Sequence, residues 1–308
     1  MKQNIIEFAK TLNIEMIGFS KYCDDETLRK KHSQKKQLNY TTPLNFTIDV
    51  VNNPKKLLSS INTIITIALP YYKTCEQLEN IKKNTVYFSS SSWGRDYHAV
   101  LNEKLDKLVE FIKQSNCGFE FEYVKCVDTK AVDDRYFAYK GGIGFFGKNG
   151  LIINKKYGSY IFIGSILTNL DIESDNPIIN ECGLCERCVN NCPTKAIQKN
   201  GVDSTKCLSY LTQKKGELTA REIESFSNCI YGCDMCLRSC PFNIKIKKGY
   251  HEFKPSGIEF IDINKFGKMS NRQFKEKYGQ LSGSWRGKKI VERNIKIYHE
   301  KIDNNHSM

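Results

Sequence analysis

Apolar residues in the first 175 positions follow helical spacing in some stretches and strand-like alternation in others. In His98–Ser115 they recur on one stripe with charges opposite, which predicts an amphipathic helix. The same spacing predicts shorter helices over Ile5–Leu12 and Ala131–Tyr139. β-Branched runs and alternation predict strands over Ile61–Tyr72, Phe119–Val127, Leu151–Asn154 and Ser159–Thr168. A hairpin-length turn joins the last two of these strands. The alternation predicts an α/β layer and leaves its strand order open.

Composition indicates a globular protein with an unusual number of cysteines. Of the 308 residues, 40% are hydrophobic and 26% are charged, which suits two or three domains. A chain of this length needs no disulfides, yet it has 13 cysteines, an odd number. Its N-terminal residues lack the apolar segment of a signal peptide, and no apolar run reaches the ~20 residues of a membrane helix. We therefore expect a cytoplasmic protein with no membrane association, whose cysteines bind metal or react.

Nine of the cysteines lie between Cys182 and Cys240, and the first four of them form a recognisable run. The run has the spacing Cys-x2-Cys-x2-Cys-x3-Cys-Pro and consists of Cys182, Cys185, Cys188 and Cys192. This spacing is typical of ferredoxins with two clusters, in which three thiolates bind one cluster and the cysteine before proline binds the other. Zinc sites usually take their ligands as two pairs, so the spacing favours iron–sulfur chemistry.

A second, shorter run completes most of a two-cluster set. It consists of Cys233, Cys236 and Cys240, followed by Pro241. Exchange of the two cysteines before proline gives the first cluster the ligands Cys182, Cys185, Cys188 and Cys240. The second cluster then receives Cys192, Cys233 and Cys236 and needs one more ligand. Cys207 and Cys229 are both candidates, and spacing alone does not choose between them.

Positive charge is concentrated beyond the cysteines. Residues 241–308 contain 15 Lys and Arg against 7 Asp and Glu, so they carry +8 of the formal net charge of +13. Phe274, Tyr278 and Trp285 lie among these charges. The mixture suits a nucleic acid, whose phosphates and bases would meet the cations and the rings. It also suits a solvated helical cap whose aromatics pack on the body, and for this segment alone we slightly favour the cap.

Several motifs resemble those of the epoxyqueuosine reductase family, in order along nearly the whole chain. The matching stretches are Ser92–His98, Val127–Thr129 with Asp134-Arg135, Gly142–Asn149, Gly158–Tyr160, Cys207–Thr212 and Ile230–Asp234. The family consists of cobalamin- and iron–sulfur-dependent enzymes of the queuosine pathway. The resemblance implies reduction of epoxyqueuosine to queuosine at the wobble position of tRNA, by reduced cobalamin that two [4Fe-4S] clusters supply with electrons.

The resemblance also implies roles for individual residues. The lone cysteine of the family's Cys-x-Ser-Tyr-Leu-Thr motif completes the second cluster, which implies Cys207 and leaves Cys229 as a spare thiol. The aspartate after Val127 matches the family's general acid, so the resemblance implies that Asp128 protonates the departing oxygen. Burial against the corrin would raise the pKa of Asp128. We expect the glycines around Phe145 to let the backbone approach a flat cofactor. Expected cofactor contacts are His98, Lys148, Ser209 and Asp234, and expected buried, unreactive thiols are Cys23, Cys75, Cys117 and Cys126.

These inferences combine into an α+β protein. We expect a cobalamin-binding α/β domain over residues 1–175, a ferredoxin-like double [4Fe-4S] domain over 176–250, and a basic segment over 251–308 that contacts tRNA. We also expect a monomer that takes electrons from a reducing protein of the ferredoxin or flavodoxin type. Two departures from the family are Val51, in place of an arginine near Pro54, and the lack of the C-terminal helical repeats of longer members. They motivate two alternatives, a two-cluster electron-transfer protein and a corrinoid reductase that acts on a small molecule.

Overall fold

The computed structural model describes residues 1–24, 26–43, 51, 53–115, 120–244, 246 and 249–304. Its helices are α1 Lys2–Thr11, α2 Glu26–Gln37, α3 Glu76–Glu79, α4 Tyr97–Ser115, α5 Asp134–Lys140, α6 Arg187–Asn190, α7 Leu208–Leu211, α8 Ala220–Glu224, α9 Met235–Arg238, α10 Ile263–Phe266, α11 Asn271–Tyr278 and α12 Lys288–Asn304. Its strands are β1 Met16–Lys21, β2 Thr63–Pro70, β3 Thr85–Phe88, β4 Tyr123–Cys126, β5 Phe145–Phe146, β6 Ile152–Ile153, β7 Ile161–Thr168, β8 Ile197–Gln198, β9 Gly201–Val202, β10 Cys229–Tyr231 and β11 Phe260–Asp262. Mixed helix and sheet therefore make up the fold, and no helix in the described ranges is long and apolar enough to cross a bilayer.

The chain divides into two compact units that interleave along the sequence. Unit 1 consists of residues 1–70 and 98–185, and unit 2 of residues 71–97 and 186–308. The boundaries of these units therefore differ from those of the predicted domains 1–175, 176–250 and 251–308. Residues 71–97, for example, group with the C-terminal half of the chain. The cofactor or partner that each of these three segments binds stays a prediction.

Unit 1 is built on an antiparallel sheet in the strand order β1-β2-β7-β4. The central strands β2 and β7 pair along their full length, from Thr63 opposite Thr168 to Pro70 opposite Ile161. Side chains alternate between the faces of a strand, so Gly164 and Leu167 of β7 belong to opposite faces. Leucines of α4 lie against Gly164, while aromatic residues of α5 pack in one cluster with Leu167. The sheet is therefore covered on both faces, which explains why seven of the eight residues of β2 are buried.

The main helices and strands predicted for this unit are confirmed, with some changes at their ends. The helices over Ile5–Leu12 and His98–Ser115 and the strand over Ile61–Tyr72 correspond to α1, α4 and β2. The strand predicted over 119–127 is shorter, as β4, and residues 116–119 lie outside the described ranges. The helix predicted from Ala131 begins later because Asp133 caps α5, its Oδ1 accepting the N–H of Tyr136 at 3.0 Å.

The hairpin predicted from residues 151–168 is wrong in its strand pairing. Asn154 and Gly158 form a single antiparallel bridge, and the Asn154 side chain closes the turn by accepting the N–H of Lys156 at 2.9 Å. Beyond that bridge the strands diverge, since β6 pairs with β5 while β7 pairs with β2 and β4. The turn residues fix a local reversal, whereas the long apolar strand β7 gains more by pairing at the centre of the large sheet.

Unit 2 contains a three-stranded sheet in the order β10-β3-β11, in which β3 is parallel to β10 and antiparallel to β11. The segment beyond residue 250 supplies β11 and the helices α10, α11 and α12. Apolar residues of these elements form one cluster with β3 and β10, and among them are Phe88, Ile230, Phe266, Val291 and Ile295. The described part of this segment is therefore integral to unit 2.

The interpretation of the basic segment as a cap with packed aromatics is confirmed for two of its three aromatic residues. Phe274 is 4% exposed and Tyr278 is 1% exposed, and both belong to the cluster of α10, α11 and α12. Neither ring is accessible for stacking on a base. Trp285 differs, since 54% of it is exposed.

Candidate active site and cluster-binding cysteines

Asp128 lies on a tight turn directly after β4. Its φ is +53°, in the left-handed region that L-residues seldom adopt, and the N–H of Thr129 donates across it to the carbonyl of Val127. The Asp128 side chain is 72% exposed, so neighbouring protein groups do not supply the burial expected for it. The turn instead presents the carboxyl outward, where a substrate can meet it.

His98 is the nearest predicted site residue to this carboxyl. It lies in the first turn of α4, and its Nε2 atom is 3.9 Å from Oδ2 of Asp128. The imidazole is 32% exposed, so both groups are open to solvent from the same region of unit 1. A protonated His98 would stabilise the carboxylate that Asp128 becomes after it donates a proton.

A second carboxyl, which sequence reasoning passed over as a site residue, belongs to Asp134 at the start of α5. Ser165 of β7 donates its hydroxyl to Oδ1 of Asp134 at 3.1 Å. Burial, with further contributions from the charges of Asp128 and Asp133, raises the pKa of Asp134 to about 8. Two adjacent aspartates at a helix start were a visible signal, but their burial depends on the sheet and could not be seen in the sequence.

The neighbouring Asp133 has the opposite electrostatic environment. Burial alone would raise its pKa, but His32 and Lys31 face it and hold that pKa well below its usual range. The Nε2 atom of His32 lies 3.1 Å from its Oδ2, and Nζ of Lys31 lies 3.3 Å away. Adjacent carboxyls therefore differ in charge at neutral pH, with Asp133 ionised and Asp134 largely protonated.

Lys148 lies half-buried in the turn between β5 and β6. The next residue, Asn149, is 7% exposed; its Oδ1 accepts the N–H of Leu151 at 3.2 Å, while its Nδ2 has no hydrogen-bond partner among the described residues. Whether the glycines around Phe145 approach a cofactor stays a prediction, but the structure gives one of them a further reason. A Cβ at Gly144 would lie 2.4 Å from the carbonyl oxygen of Ile153, so this glycine lets the protein's own hairpin close.

In unit 2, the cysteines predicted to bind the second cluster lie near one another. Of these, Cys192, Cys207 and Cys236 pack around Ala196 and Ile197, and Cys188, predicted for the first cluster, packs there too. Cys233 is within electrostatic range of Cys192 and Cys207, and burial raises its pKa to about 12. The N–H of Ala196 donates to Sγ of Cys192 at 3.2 Å, the kind of contact that stabilises a cluster thiolate. The donor set therefore fits an iron–sulfur cluster.

The two candidates for the missing ligand have different surroundings. Cys207 caps α7 and packs with Cys192 and Cys236. Cys229 lies on β10, is 5% exposed, and donates its thiol to the carbonyl of Tyr231 at 3.4 Å. Cys229 is near Cys233 but is absent from the cluster around Ala196. The packing favours Cys207.

The four cysteines predicted for the first cluster belong to different units. Cys182 and Cys185 belong to unit 1, where the N–H of Cys185 donates to the carbonyl of Cys182 at 3.1 Å. Cys188 and the buried Cys240 belong to unit 2. In the described ranges no three Cys, His, Asp or Glu side chains converge as ligands of one metal ion. A cubane does not need this, because each of its four thiolates binds a different iron.

The remaining cysteines are mixed in burial. Cys126 is 0% exposed, and burial raises its pKa to about 12, which confirms an unreactive core thiol there. Cys23 is exposed and Cys75 is half-buried, so the expectation of burial is wrong for Cys23 and only partly met by Cys75. Cys117 lies outside the described residues. All described cysteines are free thiols.

Ser209 and Asp234, the other expected cofactor contacts, both belong to unit 2. Ser209 is half-buried in α7, and its carbonyl accepts the side-chain amide of Gln213 at 2.8 Å. Asp234 is 6% exposed, and its Oδ2 accepts both the N–H and the hydroxyl of Ser90, at 2.8 and 2.9 Å. Burial raises the pKa of Asp234. One Asp234 oxygen thus anchors the end of β3, and cofactor contact by either residue stays a prediction.

The fold and the cysteine set define an iron–sulfur protein with a separate, carboxyl-bearing unit. Residues 52–129 match the family described as Epoxyqueuosine reductase QueG, DUF1730, and residues 181–243 match the 4Fe-4S double cluster binding domain. An epoxyqueuosine reductase from Lactococcus garvieae is 40% identical over 300 residues, covering 96% of this chain and 85% of the relative. The chain therefore belongs to the epoxyqueuosine reductase family.

Solved structures agree with this assignment. An epoxyqueuosine reductase bound to an epoxyqueuosine-modified tRNA-Tyr stem loop is 35% identical, with a TM-score of 0.91, and the match covers 96% of this chain and 80% of that one. The Bacillus subtilis enzyme, solved with its catalytic aspartate loop swung out of the active site, is 34% identical, with a TM-score of 0.90 and the same coverage.

Proposed function

We propose that this chain reduces epoxyqueuosine to queuosine in tRNA. The observation that carries the proposal is the exposed Asp128 carboxyl, presented on a left-handed turn with His98 Nε2 3.9 Å away. Its relatives are epoxyqueuosine reductases, and one of them binds the modified stem loop. A proton donor at the surface suits a reaction on a base carried by a large RNA, because the substrate itself can cover the site.

The proposed cofactors are two [4Fe-4S] clusters and cobalamin. The packed thiols around Ala196 suit the second cluster, with Cys192, Cys207, Cys233 and Cys236 as its ligands. The ligands proposed for the first are Cys182, Cys185, Cys188 and Cys240. Lys148 and the unpaired, buried Nδ2 of Asn149 are adjacent donors, and they fit the phosphate and amide oxygens of a corrinoid. When bound, cobalamin supplies a cobalt centre that passes electrons to the epoxide carbon.

Reduction of the epoxide to an alkene consumes two electrons and two protons and releases water. Asp128 gives the first proton to the departing oxygen, so that this oxygen does not leave as an alkoxide. His98 stabilises the resulting carboxylate, and the second proton comes from solvent, to which both side chains are open. Two clusters held by the proposed cysteines would supply electrons one at a time, drawn from an external reducing protein of the ferredoxin or flavodoxin class.

We further propose that the turn around Asp128 moves during the catalytic cycle. The Bacillus subtilis structure has its catalytic aspartate loop swung out of the active site. In this chain the matching behaviour would carry Asp128 away from the bound base and admit the next substrate.

The test is Asp128→Asn, which keeps the shape of the side chain and removes its acidity. We expect kcat to fall by about 10²-fold or more, while iron content stays unchanged, because the variant loses only proton donation. Turnover is measured by mass spectrometry of an epoxyqueuosine-modified anticodon stem loop under anaerobic, reducing conditions.

Asp171→Asn is the matched control, since Asp171 is also 72% exposed in unit 1 and pairs with Lys21. It should keep the wild-type rate. Full activity of Asp128→Asn would remove Asp128 as the acid, and wild-type protein with both clusters but no turnover would contradict the proposed reaction itself.

A further inference from the structure

Four consecutive serines, Ser89–Ser92, directly follow β3, and none of them is among the predicted site residues. Three are buried: Ser89 and Ser90 are each 1% exposed, and Ser92 is 2% exposed. The N–H of Ser92 donates to the carbonyl of Ser89 at 2.8 Å, so the run folds into one tight turn, which we call the serine turn. Buried hydroxyl and N–H groups cost free energy unless they are paired, so the partners of this turn indicate what it supports.

The serine turn contacts the residues just before Cys233, a predicted ligand of the second cluster. The N–H of Ser89 donates to the carbonyl of Tyr231 at 2.9 Å. A Cβ at Gly232 would overlap Oγ of Ser89 and lie 2.7 Å from its Cβ, so only glycine lets the two backbones come this close. The N–H of Gly232 also donates to the Thr212 hydroxyl at 2.9 Å, directly after α7. The chain before Cys233 is thus held from two sides.

The residue after Cys233 is held by the same turn. Oδ2 of Asp234 accepts both the N–H and the hydroxyl of Ser90, at 2.8 and 2.9 Å. Asp234 is 6% exposed, and removing a carboxyl from water has a free-energy cost that its hydrogen bonds only offset. Two donors on one oxygen do restrict where residue 234 can lie, and they therefore restrict the position of the neighbouring thiol.

We propose that the serine turn and Asp234 position Cys233 as a ligand of the second cluster, by fixing the chain directly before and after its thiol. This deepens the proposed function and rests on the second cluster proposed there. Ser90 and Asp234 are positioning residues, since they act through Cys233 and need not touch iron or substrate. The stretch of unit 2 between the two parts of unit 1 thereby takes part in cluster binding, although none of the predicted ligands lies in it.

The first experiment compares Asp234→Ala, Ser90→Ala and Asp234→Asn in the full-length protein, purified anaerobically. Visible absorbance follows iron loss to a chelator, and EPR spectra of the reduced protein report each cluster. Cys236→Ala, which removes a ligand predicted from spacing, supplies the spectrum of the first cluster alone. Circular dichroism verifies folding.

We expect the second cluster of Asp234→Ala to be lost about 10- to 100-fold faster than in wild type, because a residue that orients a ligand contributes about that much to metal binding. The first cluster should be unchanged. Ser90→Ala keeps its N–H donor, so its effect should be smaller and in the same direction. Asp234→Asn retains an oxygen that can accept both donors, and it should keep the wild-type loss rate and EPR spectrum.

A pair of glycines tests the close contact before Cys233. Gly232 and Gly216 both have a left-handed backbone, with φ of +78° and +86°, so alanine adds similar conformational strain at each. Among the described residues nothing lies within 4 Å of a Cβ at Gly216, whereas a Cβ at Gly232 collides with Ser89. Gly232→Ala should lose the second cluster at least as fast as Asp234→Ala. Gly216→Ala, the matched control, should keep it as wild type does.

The proposal is overturned if Asp234→Ala and Gly232→Ala both keep the second cluster as long as wild type does. It is also overturned if Asp234→Asn behaves like Asp234→Ala, or if both clusters are lost together, the sign of a general loss of folding. Wild-type protein that never exceeds about four irons per chain would leave no second cluster to position and would overturn it as well. Wild-type protein with both clusters but no turnover would count against the proposed reaction, whereas the loss rates would still decide the role of the serine turn.

Discussion

Individual thiols differ in what their surroundings allow them to do. Cys207 packs with three other cysteines around Ala196, whereas Cys229 donates a hydrogen bond to the carbonyl of Tyr231. If Cys207 is the fourth ligand of the second cluster, Cys207→Ala should lower iron from about eight to about four atoms per chain. Iron analysis and the visible spectrum of anaerobically purified protein measure this.

Cys229→Ala is the natural comparison, since it removes a buried thiol from the same unit. We expect it to retain about eight irons per chain, because its thiol already donates to backbone carbonyls. If Cys229→Ala lost half of the iron while Cys207→Ala kept all of it, the ligand assignment would be reversed.

The same contrast shows how far sequence predicts the candidate site. Spacing alone predicts seven of the proposed cluster ligands, because short spacing places thiolates around one cluster. It could not rank Cys207 against Cys229, since that choice depends on packing between distant segments. Asp134 was named only as part of a matching motif, and its raised pKa could not be foreseen because that pKa depends on burial beside Ser165, which lies 31 residues away.

Elements of unit 2 are joined by one buried side chain of the C-terminal helix α12. Asn294 is 1% exposed, and its Nδ2 donates to the carbonyl of Thr212 at 2.7 Å and to that of Ile230 at 2.8 Å. Thr212 ends α7, which begins after Cys207, and Ile230 lies on β10, shortly before Cys233. The helix therefore supports two segments that carry predicted cluster ligands.

We expect Asn294→Ala to lower the free energy of unfolding by about 1–3 kcal/mol, because two buried carbonyls lose their donor. The second cluster should also be lost faster than in wild type when the protein is exposed to an iron chelator. Urea unfolding and the visible absorbance of the clusters measure the two effects.

Lys296→Ala in the same helix provides the control. Lys296 is exposed and pairs with Glu300 at 4.0 Å across one turn, a contact that contributes little in water. Its free energy of unfolding should stay within ~0.5 kcal/mol of wild type. Equal destabilisation by both substitutions would show that the carbonyl contacts of Asn294 are unimportant.

Elements with a strong pattern of their own were predictable, and those defined by distant partners were not. The amphipathic spacing of α4 and the β-branched run of β2 decide their conformations locally. The pairing of β7 with β2 and of β11 with β3 depends on which distant strand offers the larger apolar face. Residues 251–304 accordingly carry the charge pattern of a tail and yet complete the core of unit 2.

At the scale of the whole molecule, charge and one aromatic residue remain available for tRNA. The net charge is +13, and +8 of it comes from residues 241–308. With Phe274 and Tyr278 buried, Trp285 is the exposed ring of the three, and the guanidinium of Arg286 lies 3.8 Å from its centre. A cation and an indole face together suit both a phosphate and a stacked base.

If this surface binds tRNA, the contributions of charge and stacking to the affinity can be separated by salt. Trp285→Ala should weaken stem-loop binding by about 5- to 100-fold with the same slope of log affinity against log salt, because stacking releases no counterions. Lys289→Ala, at an exposed position four residues on, should reduce the magnitude of that slope by about 1.

Trp285→Phe is the matched control: it keeps a stacking ring, loses the indole N–H bonds to Gln213 and Tyr231, and should bind nearly as wild type. Fluorescence anisotropy at several salt concentrations measures all four proteins, and unchanged affinity in Trp285→Ala would place the RNA on another surface.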